Sequence, residues 1–236
     1  MKILHLYHDI MNLYGEYANI TAVTKLAAHN GEEATVDRRT IGDDVRLSDY
    51  DLVYIGSGTE RNQKVVLEDL RRLKDQLAAC IDGGRVILLT GNAFEMLGSR
   101  ITDSGGTAYE GLGLFDFEVT EQSRTRLVGD VIFDCDFLDS PVVGFINKCS
   151  EIRGITAPLF TLEMGLGNAD GDKNEGVRRN NLFGTHVTGP LLVKNPHLLT
   201  CLYALITGRQ PDAGCLGYEQ KGYAVTLSEL RKRTAE

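Results

Sequence analysis

The feature of this chain that most constrains its fold is an apolar segment that ends in a glycine. Residues 85–92 read Arg-Val-Ile-Leu-Leu-Thr-Gly-Asn, without the alternation of apolar and polar residues that a half-exposed strand shows. Such a run predicts a strand that is buried on both faces, as in a parallel sheet covered by helices. The chain then reverses sharply at Gly91, and a short helical segment leads to Gly98.

Strands and helices alternate through the first half of the chain. We predict strands at 1–7, at 34–36 and from Asp51 into the glycine-rich turn Gly56–Gly58, and helices at 16–30 and 62–81. This order predicts right-handed crossovers and a parallel central sheet. The second half predicts shorter, partly antiparallel strands at 115–120, 128–133, 142–145, 159–162 and 177–183, then helices at 197–207 and 226–233.

Composition limits the partners and the compartment. The formal net charge of −8 argues against nucleic acid or an anionic membrane surface as the main partner. No apolar run is long enough to span a bilayer, and the first residues resemble a strand rather than a signal peptide. The 5 cysteines are scattered without paired spacing. We therefore expect a cytoplasmic protein with reduced thiols, no membrane insertion, no metal and no cofactor.

Two turns are candidates for chemistry, because ligands of parallel α/β sheets bind at the carboxyl ends of the strands. The first is Gly56-Ser57-Gly58, whose backbone N–H groups could face a substrate as in an oxyanion hole, or could simply form a tight turn. The second has Gly91 at its apex, with Asn92 beside it. Its strand–turn–helix order is typical of a nucleophile elbow, but the apex carries no reactive side chain.

Several longer motifs resemble those of the cobyric-acid-synthase-like class I glutamine amidotransferases and, among them, the glutaminase subunit of lipid II isoglutaminyl synthase. That subunit favours N-L-Y-G-D-x-G-N-I, similar to residues 12–20 here. The matching segments are 8–20, 55–63, 109–117, 125–130, 143–147, 165–168 and 184–196. The resemblance implies an α/β fold of the class I glutamine amidotransferase (flavodoxin-like) type, a mostly parallel sheet flanked by helices with additional antiparallel strands in the second half.

The resemblance also implies a chemistry that this chain lacks the groups to perform. The family uses a cysteine thiolate to attack the glutamine amide and a histidine as base and acid. Its elbow pattern is C-G-G-Y-Q-F-L-G and its histidine lies in G-T-Y-L-H-G-P. Here Gly91 takes the cysteine position and Thr188 the histidine position. Losing the nucleophile alone lowers the rate about 10⁶-fold in hydrolases.

Other residues could retain a role near the degenerate dyad. If residues 177–188 form one strand, His186 shares a face with Thr188, although a buried, hydrogen-bonded histidine is the simpler interpretation. Arg126 matches a family arginine, and either contacts a ligand or forms a surface ion pair. Thr90 should point away from the turn. Cys149 has no evident partner that would lower the pKa of its thiol.

Three hypotheses about function follow, for a domain at 1–207 with a C-terminal extension at 208–236. The first is a non-catalytic subunit that binds an ATP-dependent, Mur-ligase-like partner in peptidoglycan precursor amidation. The second is an active glutaminase that uses other residues. The third is a sensor or carrier of a small amino-acid or amide ligand, held by Arg126 and the Gly56–Gly58 amides.

Overall fold

The computed structural model describes residues 1–123 and 126–234. In chain order, their strands are β1 Lys2–Leu6, β2 Thr35–Arg39, β3 Leu52–Ile55, β4 Val86–Thr90, β5 Arg100–Thr102, β6 Ala108–Glu110, β7 Glu118–Glu121, β8 Leu127–Asp134, β9 Val142–Lys148, β10 Ser150–Arg153, β11 Phe160–Met164, β12 Asn174–Glu175, β13 Val177–Arg179, β14 Leu182–Thr185 and β15 Val187–Thr188. The helices are α1 Tyr17–His29, α2 Glu60–Leu70, α3 Lys74–Asp82, α4 Leu191–Lys194, α5 Pro196–Thr207 and α6 Gly217–Thr234.

The central sheet has the strand order β13-β14-β4-β3-β1-β2. Neighbouring strands from β14 to β2 run parallel, and β13 is antiparallel to β14. The prediction of a mostly parallel sheet is therefore confirmed. The carboxyl ends of β3 and β4 lie side by side in the middle of this sheet, which brings the turns that follow them to the same edge.

Helices cover both faces of the central sheet, which explains why its strands are apolar without alternation. Along β3, Leu52 and Tyr54 belong to one buried cluster, together with side chains of α1, α4 and α5. Val53 and Ile55 belong to the other, together with side chains of α2 and α3. Because neither face of the sheet is exposed to water, polar residues are not favoured on either face.

The predicted helix at 62–81 is two helices. A 3-10 turn at Arg71–Leu73 separates α2 from α3, and Leu73 leaves the helical region with φ −100° and ψ 1°. Both Leu70 and Leu73 remain buried. The apolar spacing therefore identified the buried face but not the break between the two helices.

The second half adds two sheets that contain the predicted antiparallel pairs. One has the order β10-β7-β5-β6 and the other β12-β11-β8-β9-β15. Helix α6 packs on the second of these through Leu230, which contacts Ile132 and Val143. Arg231 and Arg233 form ion pairs with Glu163 and Asp130, each at 2.8 Å.

The strand predicted at 177–183 is two strands, and residues 177–188 do not form the single strand that would place His186 and Thr188 on one face. Asn180, with φ 54°, turns the chain between β13 and β14, a conformation that asparagine tolerates better than most residues. The chain then leaves the central sheet after Thr185, and β15 pairs with β9 of another sheet. His186 lies at this change of sheet, so its position relative to Thr188 does not follow strand alternation.

The helix prediction at 226–233 is confirmed, and the helix begins earlier, at Gly217. The division into a domain at 1–207 and an extension at 208–236 stays a prediction. In the part of the chain that the structure describes, no helix is long and apolar enough to cross a membrane.

Candidate functional site

The turn after β4 has the backbone of a nucleophile elbow. Gly91 follows the strand directly and has φ +60°, a conformation that side chains other than glycine rarely adopt. A 3-10 segment, Gly91–Leu97, leads away from it and is almost completely buried. The sharp reversal that the sequence indicates is thus present, and its apex carries only hydrogen atoms.

Ser57 occupies the space beside this apex. A Cβ atom built on Gly91 would lie less than 3.0 Å from Ser57 Cβ, 2.9 Å from Ser57 Oγ and 3.2 Å from Ser57 Cα. Non-bonded carbon atoms prefer separations of about 3.5–4.0 Å. The place of a nucleophile's side chain is therefore taken by a neighbouring residue and is not an empty space.

Two amide groups of the Gly56–Gly58 turn, those of Ser57 and Gly58, already have acceptors within the chain. Ser57 donates to Glu16 Oε2 through both its backbone N–H and its hydroxyl, each at 2.6 Å. The Gly58 N–H donates to Asn92 Oδ1 at 3.0 Å. The two turns are therefore in contact, and the N–H groups of Ser57 and Gly58 donate to acceptors of the protein itself.

Glu16 lies completely buried beneath the two turns. Burial raises the pKa of its carboxyl group, and the hydrogen bonds from Ser57 partly offset that rise. Tyr54 lies next to it and forms a hydrogen bond with Thr90, with 2.9 Å between Tyr54 Oη and Thr90 Oγ1. Thr90 thus faces the interior below the elbow, as expected.

Thr188 is 1% exposed and donates a hydrogen bond to the carbonyl oxygen of Phe145, with 3.3 Å between the oxygens. A threonine hydroxyl is neither protonated nor ionised near neutral pH, so it does not act as a general base. Its hydrogen bond to the backbone ties β15 to the adjacent strand.

His186 is 1% exposed and lies between two carboxylates. Its Nε2 atom is 3.0 Å from Glu95 Oε1, and its Nδ1 atom is 3.2 Å from Glu175 Oε1 without the alignment of a hydrogen bond. The His186 backbone N–H also donates to Glu175 Oε1, at 2.8 Å. This arrangement matches the expectation of a buried, hydrogen-bonded histidine.

Glu95 connects the elbow to its surroundings. Its Oε2 atom accepts a hydrogen bond from Gln63 Nε2 at 2.6 Å, and its Oε1 atom accepts one from the Ser150 hydroxyl. Glu175 has no counterpart among the residues selected from the sequence. In the sequence, Glu95 was indicated only by its place in the elbow motif. No local pattern indicated that His186 would lie between Glu95 and Glu175.

A small cavity opens beside the elbow. It is lined by Tyr14, Ser57, Gly58, Glu60, Gly91, Asn92, Glu95, Glu121, Arg126, Asn147, Lys148, Cys149 and Ser150. Its internal volume of about 20 Å³ fits about one water molecule. In this conformation the cavity does not accommodate an amino acid.

Arg126 lies at the edge of this cavity in an ion pair. Its Nη1 atom is 2.8 Å from Glu60 Oε1, and its Nε atom donates to the side chain of Asn147. Both expectations for Arg126 are thus compatible with its position, because it is ion-paired and lines the cavity. Thr125, which belongs to the same sequence motif, lies outside the described residues.

Cys149 also lines the cavity but is a poor nucleophile. Its thiol donates to Glu60 Oε1 at 3.2 Å. Burial, followed by the hydrogen bond to the Glu60 carboxylate, raises the pKa of the Cys149 thiol to about 12. The reactive thiolate is therefore scarce at neutral pH, although the nearby Arg126 charge acts to lower the pKa of the Cys149 thiol.

The sequence model of the CobB/CobQ-like glutamine amidotransferase domain matches residues 2–196. The chain belongs to this family. It is 32% identical over 195 residues to the GatD subunit of lipid II isoglutaminyl synthase (glutamine-hydrolyzing) from Staphylococcus aureus, a match that covers 83% of this chain and 79% of that protein. The corresponding subunit from Streptococcus pneumoniae is 30% identical and covers 88% of this chain and 79% of its own length.

Cobyric acid synthase from Rhodococcus jostii is 34% identical over 181 residues, covering 74% of this chain and 32% of that protein. Among solved structures, a glutamine amidotransferase has a TM-score of 0.55 at 16% identity, covering 86% of this chain and 98% of its own. The PurLQS structure from Thermotoga maritima has a TM-score of 0.54 at 14% identity, covering 96% of this chain and 98% of its own. These two structures support the fold, which is that of the class I glutamine amidotransferases.

Proposed function

We propose that this chain is a subunit with the glutamine amidotransferase fold that does not hydrolyse glutamine and acts by binding a partner enzyme. By similarity to the two GatD subunits, the process is amidation of the peptidoglycan precursor lipid II. The partner would be an ATP-dependent, Mur-ligase-like protein that uses free ammonia or another nitrogen donor. The proposal places the protein in the cytoplasm, because the partner enzyme needs ATP.

The observation that carries this proposal is the packing of Ser57 against Gly91. A site that had lost only its cysteine would leave a space where the thiol had been. Here that space is filled, and the neighbouring amides of Ser57 and Gly58 donate to Glu16 and Asn92. Covalent catalysis of amide hydrolysis needs a nucleophile, a base and free oxyanion donors, and Gly91, Thr188 and this turn supply none of them.

Glutamine hydrolysis is tested directly by measuring ammonia release. The purified chain, alone and with the ligase-like protein from the same host, is incubated with glutamine beside a catalytic family member as positive control. We expect no ammonia above a blank without protein. Release that persists in a Cys215→Ser variant but disappears in Cys149→Ser would contradict the proposal and identify Cys149 as a substitute nucleophile.

Partner binding is tested by purifying the tagged chain from its native host. We expect a Mur-ligase homologue to co-purify in stoichiometric amount. A chain that elutes as a monomer without such a protein, also after addition of ATP and magnesium, would contradict the scaffolding role.

Ligand sensing is separated from partner binding by calorimetry. We expect no heat and no thermal shift on titration with glutamine, glutamate or related amides, because the cavity holds about one water molecule. Saturable binding that is lost in Arg126→Ala would instead support a sensor whose ligand displaces the Glu60 carboxylate from Arg126.

A further inference from the structure

We propose that Glu16 and Ser57 form an internal plug, by which we mean a pair of side chains that keeps the elbow closed. The site thus lacks the cysteine and histidine of the family and is also blocked by these two side chains. The inference rests on the proposed function, since it concerns the same non-catalytic site. It adds that the site is closed by groups that the protein itself supplies.

The first part of the plug is the Ser57 side chain. Its Cβ atom is the atom that a side chain at position 91 would meet first, and its Oγ atom is the second. Replacing Ser57 by alanine removes the hydroxyl group but keeps Cβ. Replacing it by glycine removes both atoms, and leaves Ser57 Cα at 3.2 Å from the added Cβ. The two substitutions therefore separate the steric effect of Cβ from the effect of the hydrogen bond.

The second part is Glu16, which fixes Ser57 from below. Glu16 Oε2 accepts both hydrogen bonds of Ser57 at 2.6 Å, and the Glu16 side chain is fully buried. The carboxylate oxygen therefore occupies the position toward which the Ser57 N–H points.

The turn cannot easily move away from this arrangement. A Cβ on Gly56 would lie 2.5 Å from the carbonyl oxygen of Met11 and 3.1 Å from Glu16 Oε2. Gly58 is held on its other side by Asn92. Because the Met11 backbone on one side and the Asn92 side chain on the other limit the turn, a side chain at position 91 must displace Ser57 or distort the elbow.

The steric part is tested by a double-mutant comparison. Gly91→Ala is placed in three backgrounds, the natural chain, Ser57→Ala and Ser57→Gly, and urea unfolding midpoints are measured. The strain of a non-glycine residue at φ +60° is common to all three backgrounds and cancels. We expect Gly91→Ala to lower the urea concentration at the unfolding midpoint strongly in the natural and Ser57→Ala backgrounds, and much less in the Ser57→Gly background.

Equal losses in all three backgrounds would overturn the steric part. If Gly91→Ala prevents folding, soluble folded protein should be recovered only with Ser57→Gly, and failure in that background too would equally overturn it. The reactivity of an introduced thiol is a second measurement. Gly91→Cys should be alkylated at residue 91 faster in Ser57→Gly than in Ser57→Ala, as located by peptide mass spectrometry.

The Glu16 part is tested by amide hydrogen exchange of peptides that cover residues 52–60. We expect Glu16→Ala to accelerate exchange there, while Glu16→Gln, which keeps an acceptor oxygen, and Glu68→Ala on the exposed side of α2 leave it slow. Unchanged exchange in Glu16→Ala would overturn this part. Ammonia release by the natural chain would contradict the proposed function. Equal midpoint losses in the three backgrounds, or unchanged exchange in Glu16→Ala, would contradict only the plug.

Discussion

His186 Nε2 lies 3.0 Å from Glu95 Oε1 in the interior of the protein, where both side chains are almost completely buried. In the family patterns, glutamine stands at the position of Glu95 and tyrosine at that of His186. Two departures from the pattern are thus in direct contact, although they are 91 residues apart in the chain. Below the elbow, the side chains at these two positions therefore interact directly.

Removing His186 should strongly destabilise the fold. His186→Ala leaves Glu95 and Glu175 buried without the imidazole between them, and removing one partner of a buried hydrogen bond costs about 1–3 kcal/mol. We expect a loss of this size in the free energy of unfolding, measured in urea. Glu229→Ala, in an exposed pair with Lys232, serves as the control and should not change the unfolding midpoint measurably. A His186→Ala midpoint equal to that of the control would show that the buried pair contributes nothing.

His5 should make the fold less stable in acid. Burial, reinforced by the charges of His8 and Arg38, lowers the pKa of His5 from 6.5 to about 4. Between these values the unfolded chain binds a proton that the folded chain does not, so stability is lost as the pH falls from 6.5 towards 4. The loss attributable to His5 is about 3 kcal/mol.

The contribution of His5 is isolated by comparing the natural chain with His5→Gln in urea unfolding from pH 7.5 to 4.5. The natural chain should lose stability relative to the variant as the pH falls. Burial raises the pKa of Glu16, which has the opposite effect on the pH dependence, but this contribution is common to both proteins and cancels. A difference in stability that stays constant with pH would contradict the prediction.

Cys149 should react slowly with alkylating reagents. Its pKa is raised to about 12 and its side chain is half-buried, whereas Cys215 is exposed. With iodoacetamide at pH 7.5 we expect modification of Cys215 long before Cys149, as followed by peptide mass spectrometry. Modification of Cys149 at the rate of Cys215 would mean that a reactive thiolate exists beside the elbow.

Helix α6 should contribute to the stability of the rest of the chain. Leu230 is 4% exposed and contacts Ile132 and Val143 of the five-stranded sheet. Leu230→Ala should lower the free energy of unfolding by about 2–3 kcal/mol, since it leaves a cavity in this contact. Val225→Ala, on the exposed side of the same helix, should have little effect. Equal effects of the two would indicate that α6 does not remain packed on the sheet in solution.

The fold could be predicted from the sequence wherever residues close together in the chain determine the structure. Apolar runs identified the buried strands, and the glycine after β4 identified the elbow, because strand and turn preferences depend on neighbouring residues. The hairpin at Asn180 and the change of sheet at His186 were not accessible in this way. They depend on which strands are available for pairing, and those strands are distant in the chain.

By itself, the sequence determined that the chain has the parallel α/β fold and that Gly91 and Thr188 stand where the family has its cysteine and histidine. Only the tertiary structure decided what occupies the degenerate site. Ser57 and Glu16 are 41 residues apart, and Glu95 and His186 are 91 apart. Such contacts form only when the sheet brings the turns together, because packing and hydrogen bonding depend on distances in space that local sequence patterns do not encode.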